Sequence, residues 1–372
     1  MKKHIHKVIR TFHPVGHGAF YTEYFESDGF LMLYDCGAKK GKTLFPSLID
    51  VSLKNRTIDL LVISHFHDDH VNGLEHILKS YNVEKILLPL LDPIEKINLY
   101  FFNIENNSSS FIQNLCESPE KAINAIAKSV NIDFVYVRNN DNVENVDIEI
   151  QELKPGKINS GDKIIYKSKD KTFQWVYVPF NYDYKNRNLQ IVSEFQERKI
   201  PIDIDQFKIY YLANKDKIKE AYSHVKGNLN TNSLTLYSCV DTNSIQKSIG
   251  HYSRGFKTTK YYMRHEKIGC LYLGDYKAAD KSKWGEFEKV YRKYFKNVSI
   301  IQIPHHGSVH NYNTKLNFEN NLISIISAPI KHNKHHPSEE VIKQITINNS
   351  IPIVVTEDEA TIFIQKISLY LK

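Results

Sequence analysis

The sequence predicts an α/β fold, because apolar segments of strand length alternate with amphipathic helices in both halves of the chain. A second observation supports it: 372 residues with 41% hydrophobic and 24% charged side chains are the balance of a globular chain with a sizeable core. A third concerns chemistry. Nine of the 17 histidines fall in three short segments, 65–70, 305–310 and 332–336, each at the C-terminal end of an apolar strand. Loops at strand ends are where such scaffolds gather polar groups, so the three segments are expected to converge on one site.

Residues 5–35 alternate apolar and polar through "KVIRTFHPV" and "GAFYTEYFES", turn at "SDG" and continue through "FLMLYDCG", the pattern of an antiparallel meander. "TIDLLVIS" reads as a buried strand by its continuous apolar run. Leu74, Ile77, Leu78 and Tyr81 then recur at helical spacing, and "EKILLPLL" is the next strand. Residues 93–230 hold a polar loop "NIENNSSS", a helix in "PEKAINAIAKSV", strands "IDFVYVR" and "VDIEIQEL", and a helix near "KIKEAYSHVKG". This stretch is expected to decorate or extend one domain spanning the whole chain.

From Asn232 onward come strands "SLTLYSCV" and "KIGCLYLGD", then a helix bearing Trp284, Phe287, Val290, Tyr291 and Tyr294. Strands "VSIIQIP" and "LISIISAP", a helix from Ser338, and strands "IPIVVT" and "ATIFIQ" complete the chain.

Cys36, Cys116, Cys239 and Cys270 are scattered with no CxxC pair, and three lie in strand-like runs, so buried free thiols are expected rather than a disulfide framework. The basic N-terminus lacks the apolar run of a signal peptide, and no window approaches ~18 uninterrupted apolar residues. A cytoplasmic chain without membrane contact is the expectation; oligomeric state is left open. A formal charge of +7 favours a polyanionic partner, although a Lys-rich composition alone produces the same number.

The densest chemistry is "SHFHDDH", residues 64–70. His65 and His67 project to the same side of an extended segment, and Asp69 with His70 follow on the loop, so the stretch can feed two adjacent metal ions. Two cations about 3.5–4 Å apart can share one hydroxide, a nucleophile near neutral pH, and clamp an oxyanion. The alternative, a solvated polar loop, fits poorly with a cluster that leaves a buried strand.

H-x-H-x-D-H after an apolar strand resembles the metal motif of the metallo-β-lactamase fold superfamily. "MLYDCG" is similar to the early strand whose aspartate, here Asp35, buttresses the site from outside the ligand set. "LYLGD" is similar to the later strand whose aspartate, here Asp275, bridges both metals. "IPHHGS", "KHHPSEEVI", "NTNSLTL" and "VGHG" further resemble the hydrolase domain of ComEC-type DNA-uptake proteins, over roughly residues 5–92 and 230–345.

The resemblance implies an αββα sandwich of two mixed β-sheets with helices on both outer faces. It also implies two divalent ions, zinc ahead of manganese. His65, His67 and a histidine of the "HHG" pair would hold one ion, Asp69, His70 and His336 the other, with Asp275 between them. Either His305 or His306 fills the "HHG" position. His305 is favoured as the residue that leaves the strand first, with His306 then contacting a substrate oxyanion or supporting a ligand. His336 is preferred over His335 because it precedes Pro337.

Three departures from the family pattern stand out. "HPVGHGAF" lacks the usual carboxylates around its glycines. His76, His224, His251 and His265 all lack the context of the intermediate histidine motif of lactamase and glyoxalase-like members. A long insertion, "HYSRGFKTTKYYMRHEK", separates two strands. Within it Arg254, Lys257 and Lys260 alternate with Tyr261 and other aromatics, a pattern that suits phosphates and bases of a nucleic-acid strand, or equally a solvated hairpin.

Asp68 reads as a loop residue. His310 is a candidate to protonate a leaving group. His13, His17 and His332 are expected at the rim, mainly in structural roles.

The expected function is a dinuclear metal-dependent phosphodiesterase or nuclease, with Asp69, His306 and His310 in catalytic roles and nucleic acid as substrate. The alternatives are a small-molecule phosphodiesterase or phosphorylcholine-type esterase, and a non-catalytic partner-binding module of a bacterial defence or stress operon. The complete ligand set weighs against the last.

Overall fold

The structure, a computed structural model, describes residues 5–39, 44–139, 144–225, 233–255, 263–330 and 336–372. Two mixed sheets pack face to face. Edge to edge, the first runs Met263–His265, Ile245–Arg254, Phe363–Leu371, Ile5–Phe12, Gly18–Phe25, Leu31–Ala38, Ile58–Val62, Val83–Pro89, Asp133–Arg138 and Gly156–Asn159. The second runs Ile351–Val355, Ile323–Ser327, Val298–Gln302, Gly269–Tyr272, Thr235–Val240, Gln174–Phe180, Lys163–Lys167 and Asp147–Glu149.

The N-terminal meander pairs antiparallel, with Phe12 opposite Tyr21. The strands from Leu31 through Arg138 then run parallel, with Leu33 beside Leu61 and Leu61 beside Ile86. In the second sheet Gly269–Tyr272, Val298–Gln302, Ile323–Ser327 and Ile351–Val355 are likewise parallel.

The continuous apolar runs are explained by burial on both faces. Leu60, Val62 and Leu87 join the core between the sheets, packed with Trp175, Tyr177, Leu236 and Tyr272. Their alternates Leu61, Ile63, Ile86 and Leu88 face outward into a second core under the helices Phe45–Leu53, Leu74–Ser80 and Pro93–Glu105. Successive strand side chains point to opposite faces, so one run feeds both cores. Each fully buried Leu or Ile contributes about 1.5–3 kcal/mol. The helices Lys281–Tyr291 and Glu339–Ile347 lie with the second sheet, burying Trp284, Phe287, Tyr291, Val341 and Ile345 in the central core cluster. The result is the expected αββα layering.

The polar stretch near Asn106 is flanked by helices rather than being a long loop. Asp92 and Glu95 form a reciprocal capping box that starts Pro93–Glu105, and Ser109 caps Ser110–Glu117. The helix expected across 119–130 closes early, at Pro119–Asn124, and the one near 217 begins earlier, at Ile204, under an Asp203 cap. Residues 93–230 place strands in both sheets. All four cysteines are buried and free. Among the described residues no helix is long and apolar enough to cross a membrane.

A buried ion pair pins the sheets together. Arg10 donates its Nε to Glu23 Oε1 at 2.7 Å, and both side chains are 0% exposed. Arg10 also donates to the Ile268 carbonyl at 2.7 Å and to Gln365, while Ser238, Tyr177 and Tyr272 from the facing sheet donate to the Glu23 carboxylate.

Candidate metal centre

The site lies at the carboxyl ends of parallel strands from both sheets, the place where open α/β sheets bind ligands. Asp35 is the extra residue of a β-bulge: Phe20 pairs with Cys36 and Tyr21 with Tyr34, and Asp35 takes a left-handed φ of 54°. The bulge turns its carboxylate toward the next strand. There it accepts the Ser64 amide at 2.7 Å, the Ser64 hydroxyl at 2.6 Å and His70 Nδ1–H at 2.8 Å. Two residues on, a Cβ at Gly37 would come within 2.3 Å of the Asp69 carbonyl, so only glycine lets the Asp69–His70 peptide lie this close to the strand.

These bonds fix ring states. Because His70 spends its Nδ1–H on Asp35, its Nε2 lone pair faces Asp275 Oδ1 at 3.2 Å. His65 Nδ1 sits 2.9 Å from Ser64 Oγ and 3.1 Å from Ser233 Oγ, both of which also meet other donors or acceptors of the site. Ser64 Oγ gives its own proton to Asp35 and so accepts the His65 Nδ1–H, which leaves His65 Nε2 bare. That atom lies 3.1 Å from His67 Nδ1 and 3.6 Å from Asp275 Oδ2.

The adjacent histidines diverge. His305 and His306 hold left-handed φ values of 49° and 54°, a strained pair of the kind found at functional sites. His305 Nδ1–H donates to Asn311 Oδ1 at 2.9 Å, an orientation set by Asn311 Nδ2 donating to the Asp275 carbonyl. His306 Nδ1–H donates to the Ser327 carbonyl at 3.0 Å. Their Nε2 atoms approach opposite oxygens of one carboxylate: His305 is 3.8 Å from Asp275 Oδ2, and His306 is 3.9 Å from Asp275 Oδ1.

Among the described residues, donor atoms fall into three groups, each within 4.8 Å: His65, His67 and Asp275; His70, Asp275 and His306; and His17, Asp69 and His306. His70 Nε2, Asp275 Oδ1 and His306 Nε2 are buried without a hydrogen-bond partner. Buried polar atoms are seldom left unpaired, and lone pairs facing one another require a proton or a cation between them. The residues therefore fit a divalent metal.

Electrostatics agree. Burial disfavours charge on Asp275, yet His305 and His70 outweigh it and hold the carboxyl well below its usual range. Burial likewise opposes Asp69, but His17 and His306 hold it low. Burial opposes charge on His70 too, and Asp275 and Asp35 override it, raising its pKa well above the ordinary imidazole value, so positive charge is favoured between His70 Nε2 and Asp275, as a proton or as the cation that would displace it. Burial pushes His65 well below that value, and His67, His17 and His336 to about 4, so these rings are neutral at pH 7 as ligands must be.

The structure brings His65, His67, Asp69, His70, Asp275, His305 and His306 together, with Asp35 behind them. His336 stands beside them, its ring 5.4 Å from His305 and 5.8 Å from His17, its Nδ1 buried and unpartnered. His310 is exposed and only its amide bonds, to Ser308 Oγ at 3.3 Å. Asp68 opens the short helix Asp68–Val71 and accepts from Asn72 at 3.0 Å. His13 belongs to the core, stacked on Phe20 and bonded to Thr22 and Ser52. Arg254 is exposed and donates to the Val354 carbonyl at 3.1 Å. Lys257, Lys260, Tyr261, His332 and His335 lie outside the described residues.

Sequence reasoning passed over Ser64, Ser233, Asn311 and Phe102, whose ring stacks on His67 at 4.2 Å. Serine and asparagine are too common to mark a site, though Ser233 sits inside "NTNSLTL". His17, read as a rim residue, instead places its Nε2 3.1 Å from Asp69 Oδ2.

No curated protein matches the chain. The layering is that of the metallo-β-lactamase sandwich, and the donor groups at its edge suit the metal-dependent hydrolases that make up most of that superfamily. Residues 23–156, which contain Asp35 and the whole 65–70 segment, match the model of the Metallo-beta-lactamase superfamily.

Proposed function

We propose that this protein is a dinuclear metal-dependent phosphoester hydrolase whose substrate is nucleic acid. The observation that carries the proposal is the shared carboxylate: Asp275 offers one oxygen to His65 and His305 and the other to His70 and His306. On this reading His65, His67 and His305 would hold one divalent ion and Asp69, His70 and His306 the second, Asp275 would serve both, and His336 stands beside them. Two such ions supply Lewis acidity for a phosphoryl oxygen and lower the pKa of water near them.

The chain's own residues do the rest. Asp35 locks the His70 tautomer and orients its ring, Ser64 does the same for His65, and Ser233 helps to orient that ring. Phe102, stacked on His67, shields that ring from solvent. His336, partly exposed beside His305 and neutral at pH 7, is placed to hydrogen-bond a phosphoryl oxygen. The net charge of +7, the resemblance to ComEC-type hydrolase domains and the basic, aromatic 251–267 insertion favour a polyanionic strand over a small ester.

The test is a substrate panel of single- and double-stranded DNA, RNA, a cyclic dinucleotide, bis-p-nitrophenyl phosphate and a β-lactam, assayed with zinc or manganese and against Asp69→Ala. Cleavage of nucleic acid that disappears in a folded Asp69→Ala protein is expected. Turnover confined to the β-lactam, or unchanged by the substitution, would reject the proposal.

A further inference from the structure

His17 belongs to no part of the ligand set above, yet it is built into the site. It lies in Gly16–His17–Gly18, where the first strand turns into the second. A Cβ at Gly18 would fall 2.3 Å from the Gly37 carbonyl, so the backbone beside His17 presses directly on the strand end that, through Gly37, presses on the Asp69–His70 peptide. The ring is 11% exposed, lies 4.1 Å centroid to centroid from His306, and points its Nε2 at Asp69 Oδ2, 3.1 Å away.

Two donor groups meet at His306: His70, Asp275 and His306 on one side, His17, Asp69 and His306 on the other. His306 commits Nδ1–H to the Ser327 carbonyl, which leaves one lone pair, on Nε2. One lone pair serves one cation. The two groups therefore compete for His306, and Asp69 Oδ2, 3.1 Å from His17 Nε2 and 3.4 Å from His306 Nε2, draws the ion toward the second group. From this geometry, and resting on the dinuclear reading, we infer that His17 is a direct ligand of the second divalent cation, beside Asp69 and His306.

The competing role for His17 is to orient Asp69 through a hydrogen bond without touching the ion, and two substitutions separate these roles. His17→Gln keeps an N–H to donate to Asp69 but removes the imidazole, whereas His17→Ala removes both. Metal-free full-length protein is titrated with Co2+, following visible absorption and binding heat, with thermal unfolding of the metal-free variants as the control for folding. The wild type is expected to take about two equivalents. Both variants should keep the tighter equivalent, bind the other at least about tenfold more weakly, and show an altered visible band for it.

A His17→Gln protein that binds the second equivalent with wild-type affinity and spectrum would overturn the inference, as would a third equivalent in the wild type. A wild type that takes up no Co2+ would instead remove the dinuclear reading, and His17's role with it.

Discussion

The molecule contains two buried polar clusters, and they differ in how completely they are satisfied. Between the sheets, Arg10 and Glu23 are wrapped by Ser238, Tyr177, Tyr272, Gln365 and a backbone carbonyl, and no side-chain atom of that network lacks a partner. At the strand ends, His70 Nε2, Asp275 Oδ1 and His306 Nε2 have none. Both clusters are costly to bury. The first is closed by its own chain and serves the fold. The second holds an excess of acceptors aimed at a common space, which is sensible only if something positive enters it.

That contrast can be broken by experiment. Asp275→Asn should have the largest effect: retention of both cations falls, and hydrolysis of bis-p-nitrophenyl phosphate drops more than about 100-fold. Metal analysis and initial rates on one preparation check this, and a variant that keeps both cations would mean that the second cluster, like the first, serves the fold alone. Glu23→Gln should do the reverse, lowering unfolding free energy by about 3–5 kcal/mol because Arg10 is left buried without its counter-charge, with cation content unchanged. Denaturant unfolding measures it.

An effect absent at neutral pH sharpens the picture from a third site. Burial lowers the pKa of His13 from 6.5 to about 3 in the folded state. Below pH 6.5 the unfolded chain takes up a proton that the folded one refuses, so stability is full above that pH and falls by up to about 1.4 kcal/mol per unit down to about pH 3. In metal-free protein, His13→Gln should flatten the slope by that increment; parallel slopes would contradict it.

Much of the layering was legible because strand periodicity is local, and Leu60 and Leu61 announce their two faces by mere adjacency. The 65–70 segment was legible for the same reason, since four candidate donors sit within six residues. The sides taken by His305 and His306 were not, because ring direction there depends on consecutive left-handed residues. Asp35 was noticed through a resemblance, and its bulge was invisible. Arg10 and Glu23 looked like the solvent face of an alternating strand, since nothing local tells that Ser238 and Tyr272 lie opposite. Residues 93–230 were only partly readable because strands such as Gly156–Asn159 and Lys163–Lys167 are short and lysine-bearing, although they pair with near neighbours in the chain, whereas the Asp92–Glu95 capping box was a local signal within reach.

The candidate ligands on each side of Asp275 come from both sheets: the 65–70 loop leaves the first, and Asp275, His305 and His306 leave the second. A cation seated among them fastens the open edge of the sandwich, as Arg10 and Glu23 fasten its middle. Saturation at 100 times the dissociation constant adds about 2.7 kcal/mol per ion. On the proposed reading the lifetime of this fold would be coupled to the supply of divalent metal around it, and starvation for that metal would mark the chain for degradation as well as silence it.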